Sequence, residues 1–144
     1  MDGGSRGNPG KAAWGVAVYD RHGAYVEGHA GNLGHATNNV AEYHGLLEAL
    51  QLAVQENAEH VSISTDSELM LRQIQGRYRV RHPDLIPLHG RAVELIRSFG
   101  SFRIAHVPRE RNRDADRLVN MALDRAAAEP VRFVERPDTS TTAP

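Results

Sequence analysis

The amino-acid sequence predicts an α/β fold, a mixed sheet with helices packed on it. Three observations carry that expectation. Two strand-like runs stand side by side near the start, at 14–19 and 24–30. Apolar residues recur every three to four positions from 39 to 55, from 85 to 99 and again after Asn112. Two further strand-like segments, 61–64 and 102–107, are interleaved with those helices, which calls for crossover connections and a mixed sheet.

Each element has its own local reason. Residues 1–12 are glycine-rich, with Gly3, Gly4, Gly7, Asn8, Pro9 and Gly10, and predict a turn segment. Trp14 to Tyr19 (WGVAVY) reads as a strand, Asp20-Arg21-His22-Gly23 as a hairpin turn, Ala24 to Ala30 as its partner, and Gly31 to Ala36 as a connecting loop. Val40, Tyr43, Leu47, Leu50 and Val54, joined by Leu46 and Ala53, form one apolar stripe on a helix from Asn39 to about Gln55. Val61-Ser62-Ile63-Ser64 alternates as a strand, and a short helix from Ser67 to Gln75 stops at Gly76. Leu85, Leu88, Ala92, Leu95, Ile96 and Phe99 mark the next helix, interrupted near its start by Pro87. Phe102 to Val107 is a strand, and Asn112 caps a final helix running to about Ala128. The domain is expected to be 1–128, with 129–144, ending in PDTSTTAP, a flexible tail or linker.

Length and composition bound the function. The 144 residues, 40% hydrophobic, suffice for one domain with its own core. There is no cysteine, which excludes disulfides, thiolate zinc sites and cysteine nucleophiles. No apolar run approaches the roughly 20 residues that span a bilayer, and a cytoplasmic protein without membrane partners is expected. The formal charge of −1 hides an asymmetry. From Arg72 to Arg117 eleven Arg face five acids, a net of +6, whereas the rest of the chain carries six bases and thirteen acids, a net of −7. Such a chain can meet a polyanion with one side and hold cations with the other. Lys11 is the only lysine, and arginine suits forked phosphate contacts.

The glycine run ending at Gly10-Lys11 fails as a phosphate loop. Position 5 is Ser where a Gly is required, and Ala12 stands where Ser or Thr should hold magnesium. Of the eight histidines, the pairs His29/His35 and His82/His89 lack helical i, i+4 metal spacing. Four acids fall where an α/β sheet gathers side chains, at strand ends and helix starts on one rim: Asp2, Glu42, Asp66 and one of Asp114 or Asp116. Clustered carboxylates demand a hard divalent cation between them. Singly, each has a structural reading: Glu42 completes a capping box with Asn39, Asp66 is a helix N-cap, and Asp114 and Asp116 favour a helix N-terminus. Periodicity does not choose between the last two, which lie about 100° to either side of Ala115.

Four blocks taken together carry a resemblance: DGGSRGNPG (2–10), TNNVAEYHGLLEAL (37–50), TDSELMLRQIQGRYRV (65–80) and HVPRERNRDADRLVN (106–120). In this order and spacing they resemble type 1 ribonuclease H, in the archaeal-type and bacterial variant without a long basic protrusion. The resemblance implies a ribonuclease H-like fold, a mixed five-stranded sheet flanked by helices. It also implies an endonuclease, dependent on two Mg2+ ions or on Mn2+, that cuts the RNA strand of RNA–DNA hybrids to leave 5′-phosphate and 3′-hydroxyl ends. Asp2, Glu42, Asp66 and Asp116 match the family's catalytic, metal-binding carboxylates, which selects Asp116 over Asp114. Substrate contacts carry over to Gly3 and Gly4, whose missing side chains admit the nucleic-acid backbone, and to Asn8, Asn38 and Asn39. Thr37 matches a residue that helps hold a DNA-strand phosphate. Arg77, Arg79 and Arg81 lie where some members insert the protrusion. A monomer acting on the hybrid is expected.

Two departures from the family pattern are visible. Arg109 or Glu110 occupies the loop in which other members carry a histidine, and His106 stands at the strand end. Family members also carry a strand of several residues before the first Asp, whereas Met1 alone precedes Asp2, so the first strand is expected to be truncated. Val131 to Val134 (VRFV) is a candidate to fill the vacancy, and a non-catalytic hybrid-binding module is the alternative function.

Overall fold

The computed structural model describes residues 1–125 and 132–137. Strand β1 spans Asp2–Arg6, β2 Gly10–Tyr19 and β3 Tyr25–Ala36, followed by helix α1 at Asn38–Gln55. Strand β4 (His60–Thr65), helices α2 (Glu68–Ile74) and α3 (Ile86–Ile96) and strand β5 (Ser101–His106) come next. A 3-10 turn at Arg109–Arg111 leads into α4 (Arg113–Asp124), and β6 spans Arg132–Glu135. Strands β1, β2, β3 and β6 form an antiparallel sheet in that order, and β4 and β5 form a parallel pair.

The expected α/β class and helices are present, and four local expectations are corrected. The glycine-rich start is a strand: Asp2–Arg6 pairs with β2 in the register Asp2↔Gly15 to Arg6↔Lys11. It meets the β4–β5 pair through one hydrogen bond, from the Met1 amine to the Ser64 carbonyl at 3.0 Å, so the strands stand as two sheets rather than one of five. Gly31 to Ala36 continues β3 instead of forming a loop, because β2 starts four residues earlier, at Gly10, and offers it partners up to Gly10↔Ala36. Part of the expected tail, Arg132–Glu135, is strand β6. It lines the outer edge of β3 (Gly28↔Glu135 to Gly31↔Arg132), not the side of β1. Residues 126–131 and 138–144, with the rest of the tail and the expected end of the last helix, lie outside the described residues.

The two faces of the larger sheet are differently built. On one face Trp14 and Val16 pack with Tyr43, Leu46, Leu47 and Leu50 of α1 and with Ile63, Met70, Leu85 and Ala92. On the other, Ala13 and Ala30 meet Leu118, Val119, Ala122 and Leu123 of α4. Small residues bring both helices close. A Cβ at Gly3 would lie 2.1 Å from the carbonyl of Ala41 in α1, and one at Gly15 would lie 2.7 Å from the carbonyl oxygen of Ala115 in α4. The missing side chain of Gly3 thus admits the backbone of α1. Gly4 is different, since a Cβ there would make only ordinary contact with Val119, at 3.7 Å.

Candidate active site

Each acid reaches the site from a different element end. Asp2 opens β1, Glu42 lies in the second turn of α1, and Asp66 follows β4. Local capping leaves all three free. The N-cap of α1 is Thr37, whose Oγ1 accepts from the Val40 N–H at 3.2 Å, so Glu42 is not part of a capping box with Asn39. The N-cap of α2 is Ser67, which accepts from the Met70 N–H at 3.3 Å, so Asp66 is not the cap either. Asn112 precedes α4 without a capping bond; its buried side chain instead donates to the Met1 carbonyl at 2.9 Å.

Asp2, Glu42 and Asp66 each offer a carboxylate oxygen, all within 4.8 Å of one another. Asp2 is buried, and Glu42 and Asp66 are partly so. Burial, followed by the charges of Asp2 and Asp66, pushes the Glu42 carboxyl up to about 9. Burial and then the charge of Asp66, with a further contribution from Asp116, pushes Asp2 up to about 6. Among the described residues, buried Glu42 Oε2 has no hydrogen-bond partner. Three crowded carboxylates with one orphaned oxygen, and no nitrogen or sulfur among them, fit a hard divalent cation.

The two acids of α4 part company here. Asp116 stands within electrostatic reach of Asp2, and its Oδ1 lies 3.7 Å from the guanidinium of Arg109 in the 3-10 turn. Asp114 turns to the other flank, where it accepts from the Tyr19 hydroxyl at 2.5 Å and lies 3.8 Å from Arg117. Arg109 therefore lies beside the acids, whereas exposed His106 sits at the end of β5, opposite Thr65 and near Glu68. Sequence reasoning did not foresee the Arg109–Asp116 pair, although the seven-residue spacing across a short turn contained the signal.

The polar residues of the expected substrate surface form one patch. Asn8 Oδ1 accepts from the Asn38 N–H at 3.1 Å, and Asn38 Oδ1 accepts from the Ser5 N–H and hydroxyl at 2.8 and 2.9 Å. Both side-chain oxygens are thereby engaged within the protein. Asn39 is exposed next to them. A groove beside Thr37 is lined by Pro9, His35, His44, Pro83 and Asp84. Arg77, Arg79 and Arg81 are exposed and form no ion pair among the described residues.

An antiparallel three-strand ribbon that crosses through a helix to a parallel pair, with acids gathered where β1, α1 and β4 meet, defines the class of ribonuclease H-like domains. Comparison with known proteins carries this further. The reverse transcriptase-like family profile matches residues 1–122. The bifunctional protein Rv2228c of Mycobacterium tuberculosis is 43% identical over 140 residues, which are 92% of this chain and 38% of that protein, so the chain spans well under half of that relative. The crystal structure of RNase H1 from the halophilic archaeon Halobacterium salinarum is similar at 42% identity, with a TM-score of 0.83 over 87% of this chain and 95% of that one. LC11-RNase H1, crystallised in complex with an RNA/DNA hybrid, is 38% identical, with a TM-score of 0.79 over 85% and 93% of the two chains. The chain belongs to the ribonuclease H family, in its type 1 branch. No described helix is long and apolar enough to cross a membrane.

Proposed function

We propose that this domain hydrolyses the RNA strand of RNA–DNA hybrids, leaving 5′-phosphate and 3′-hydroxyl ends, with divalent cations, Mg2+ or Mn2+, held by Asp2, Glu42, Asp66 and Asp116. The observation that supports it is the convergence of three carboxylates, one oxygen of each within 4.8 Å of the others, with Glu42 Oε2 unpartnered among the described residues, in a chain of this family. Cations in such a site supply an activated water for attack on the scissile phosphate and charge stabilisation at the leaving 3′ oxygen. The protein's own part is positional. Asp2, Glu42 and Asp66 form the clustered part of the donor set, and partly exposed Asp116 completes it at the edge, paired with Arg109. All four come from one copy of the chain, which suffices as a monomer.

Recognition of the hybrid follows from the donors left facing outward. With the oxygens of Asn8 and Asn38 engaged, their amide N–H groups remain for acceptors on a minor groove lined by 2′-hydroxyls, the feature that separates RNA from DNA. Asn39 and Gly4 extend that surface. Thr37, with the groove beside it, is placed for a phosphate of the DNA strand, and Arg77, Arg79 and Arg81 supply a salt-sensitive phosphate contact.

The direct test is a hybrid labelled on either strand, incubated with the protein with and without Mg2+ or Mn2+. Internal cuts in RNA alone, lost in Asp66→Asn, are expected. Tight binding without cleavage at any cation concentration would return the domain to a hybrid-binding role.

A further inference from the structure

The aromatic residues of this domain are mostly accounted for by packing or by hydrogen bonds. Trp14 and Tyr43 are buried, and the Tyr19 and Tyr25 hydroxyls donate to Asp114 and Glu135. Tyr78 is the exception. It is 50% exposed, and among the described residues its hydroxyl has no hydrogen-bond partner.

Yet its ring is held in place. Helix α2 ends in a turn through Gly76 at φ +78°, which folds the chain back so that the Arg77 and Tyr78 N–H groups both donate to the Arg72 carbonyl, at 2.9 and 3.2 Å. The Arg72 guanidinium lies over one face of the Tyr78 ring, 5.4 Å from its centre, and is itself tied to Glu68 one turn back. Two residues on, Val80 packs against the main core and tethers the segment. Among the described residues the result is a fixed ring, one face covered by a cation and the rest open, between the unpaired cations Arg77 and Arg79.

An exposed aromatic face among arginines suits an unpaired base: every base has a π-face to stack, and its phosphates meet the guanidinium groups. Bases inside a hybrid duplex are already stacked on one another and cannot use such a ring. We propose that Tyr78 stacks an unpaired base of a single-stranded overhang adjoining the hybrid, with Arg77 and Arg79 on its flanking phosphates. This rests on the hybrid-hydrolase reading above and specifies its substrate as a hybrid next to a single-stranded extension.

The test compares a blunt hybrid with hybrids carrying a DNA overhang of about four nucleotides at one end or the other, with 2-aminopurine in the overhang. Binding is read in EDTA by quenching of the 2-aminopurine, and cleavage is read separately in Mg2+. One overhang polarity should bind roughly tenfold more tightly than the blunt hybrid and be quenched. Tyr78→Ala should remove both effects while cleaving the blunt hybrid at the unaltered rate, and Tyr78→Phe should retain both. Equal binding of blunt and overhanging hybrids, or a Tyr78→Ala loss that falls equally on blunt cleavage, would overturn the proposal. If quenching and preference are present but no hybrid is cleaved, the hydrolase reading fails and the stacking site stands.

Discussion

Helix α4 carries an acid-rich region on each flank, and the two are built in opposite ways. On the Tyr19 flank every acid has a donor. Glu135 accepts two bonds from Arg117, at 2.7 and 2.8 Å, and one from the Tyr25 hydroxyl, while Asp114 accepts from Tyr19. On the Asp2 flank, Asp2, Glu42 and Asp66 crowd together, and the nearest paired arginine, Arg109, reaches only Asp116 at the edge. The Arg117 pair holds the Glu135 carboxyl below the usual carboxylate range, whereas burial drives Asp2 and Glu42 above it. Carboxylates thus fasten the structure on one flank and crowd together on the other, where cations would bind.

The sharpest way to break this contrast is to neutralise one acid on each flank. Asp66→Asn should lower hybrid cleavage by on the order of a thousandfold or more, since it removes a cation ligand, while Asp114→Asn stays within a few-fold of the parent. The reverse ranking would exchange the roles of the two flanks. Metal-free melting sharpens the same point: Asp66→Asn should melt no lower than the parent, because it relieves repulsion.

Next in size is a steric effect at the strand that carries Asp2. Gly3→Ala forces a Cβ into the backbone of Ala41 and should cost about 3 kcal/mol of stability, read by denaturant unfolding. Gly4→Ala should fold like the parent, and a loss of hybrid affinity in that variant would mark β1 as a substrate surface as well. If both variants are equally stable, the close approach of β1 and α1 is wrong.

The pH dependence should carry opposite signs on the two flanks. Asp2 and Glu42 have folded values raised above 3.8 and 4.5, so the folded protein binds more protons than the unfolded chain. Their contribution is full below those ordinary values and lost as pH rises through about 6 and about 9. Glu135 behaves inversely: its contribution is present above 4.5 and lost as pH falls through its lowered value. Melting temperatures in EDTA should therefore decline from mildly acid conditions toward pH 9, and Mg2+ should flatten that alkaline decline. A metal-free protein with no alkaline decline would contradict the crowding of the acids. The smallest effect belongs to Glu135→Gln, which should cost about 1 kcal/mol, as a partly exposed ion pair does, and leave cleavage in Mg2+ unchanged.

The helices and the three converging acids could be read from the chain, because apolar periodicity and strand-helix junctions are local signals. Strand β1 could not. Gly3 and Gly4 look like turn residues, and what demands a glycine at position 3 is contact with Ala41, 38 positions away. The second half of β3 was hidden for a related reason, since Gly31 and Gly34 break its pattern while β2 supplies its partners. Asp114 and Asp116 are symmetric about Ala115, so only tertiary partners separate them: Tyr19 for one, Arg109 and the Asp2 cluster for the other. The family resemblance selects Asp116 where periodicity is silent, and the geometry accords with that choice by setting Asp116 near Asp2 and Asp114 beside Tyr19.

The contacts of Gly3 with Ala41 and of Gly15 with Ala115 have a consequence for how the domain can change over time. Ala41 adjoins Glu42, Ala115 adjoins Asp116, and Gly15 pairs with Asp2, so the spacing of these three acids is gauged by main chain touching main chain. Side chains such as Leu46, Leu50 or Leu118 can be exchanged for others of similar bulk while those stops keep their length. The interior is free to drift through many sequences, whereas the two stops tolerate no added atom.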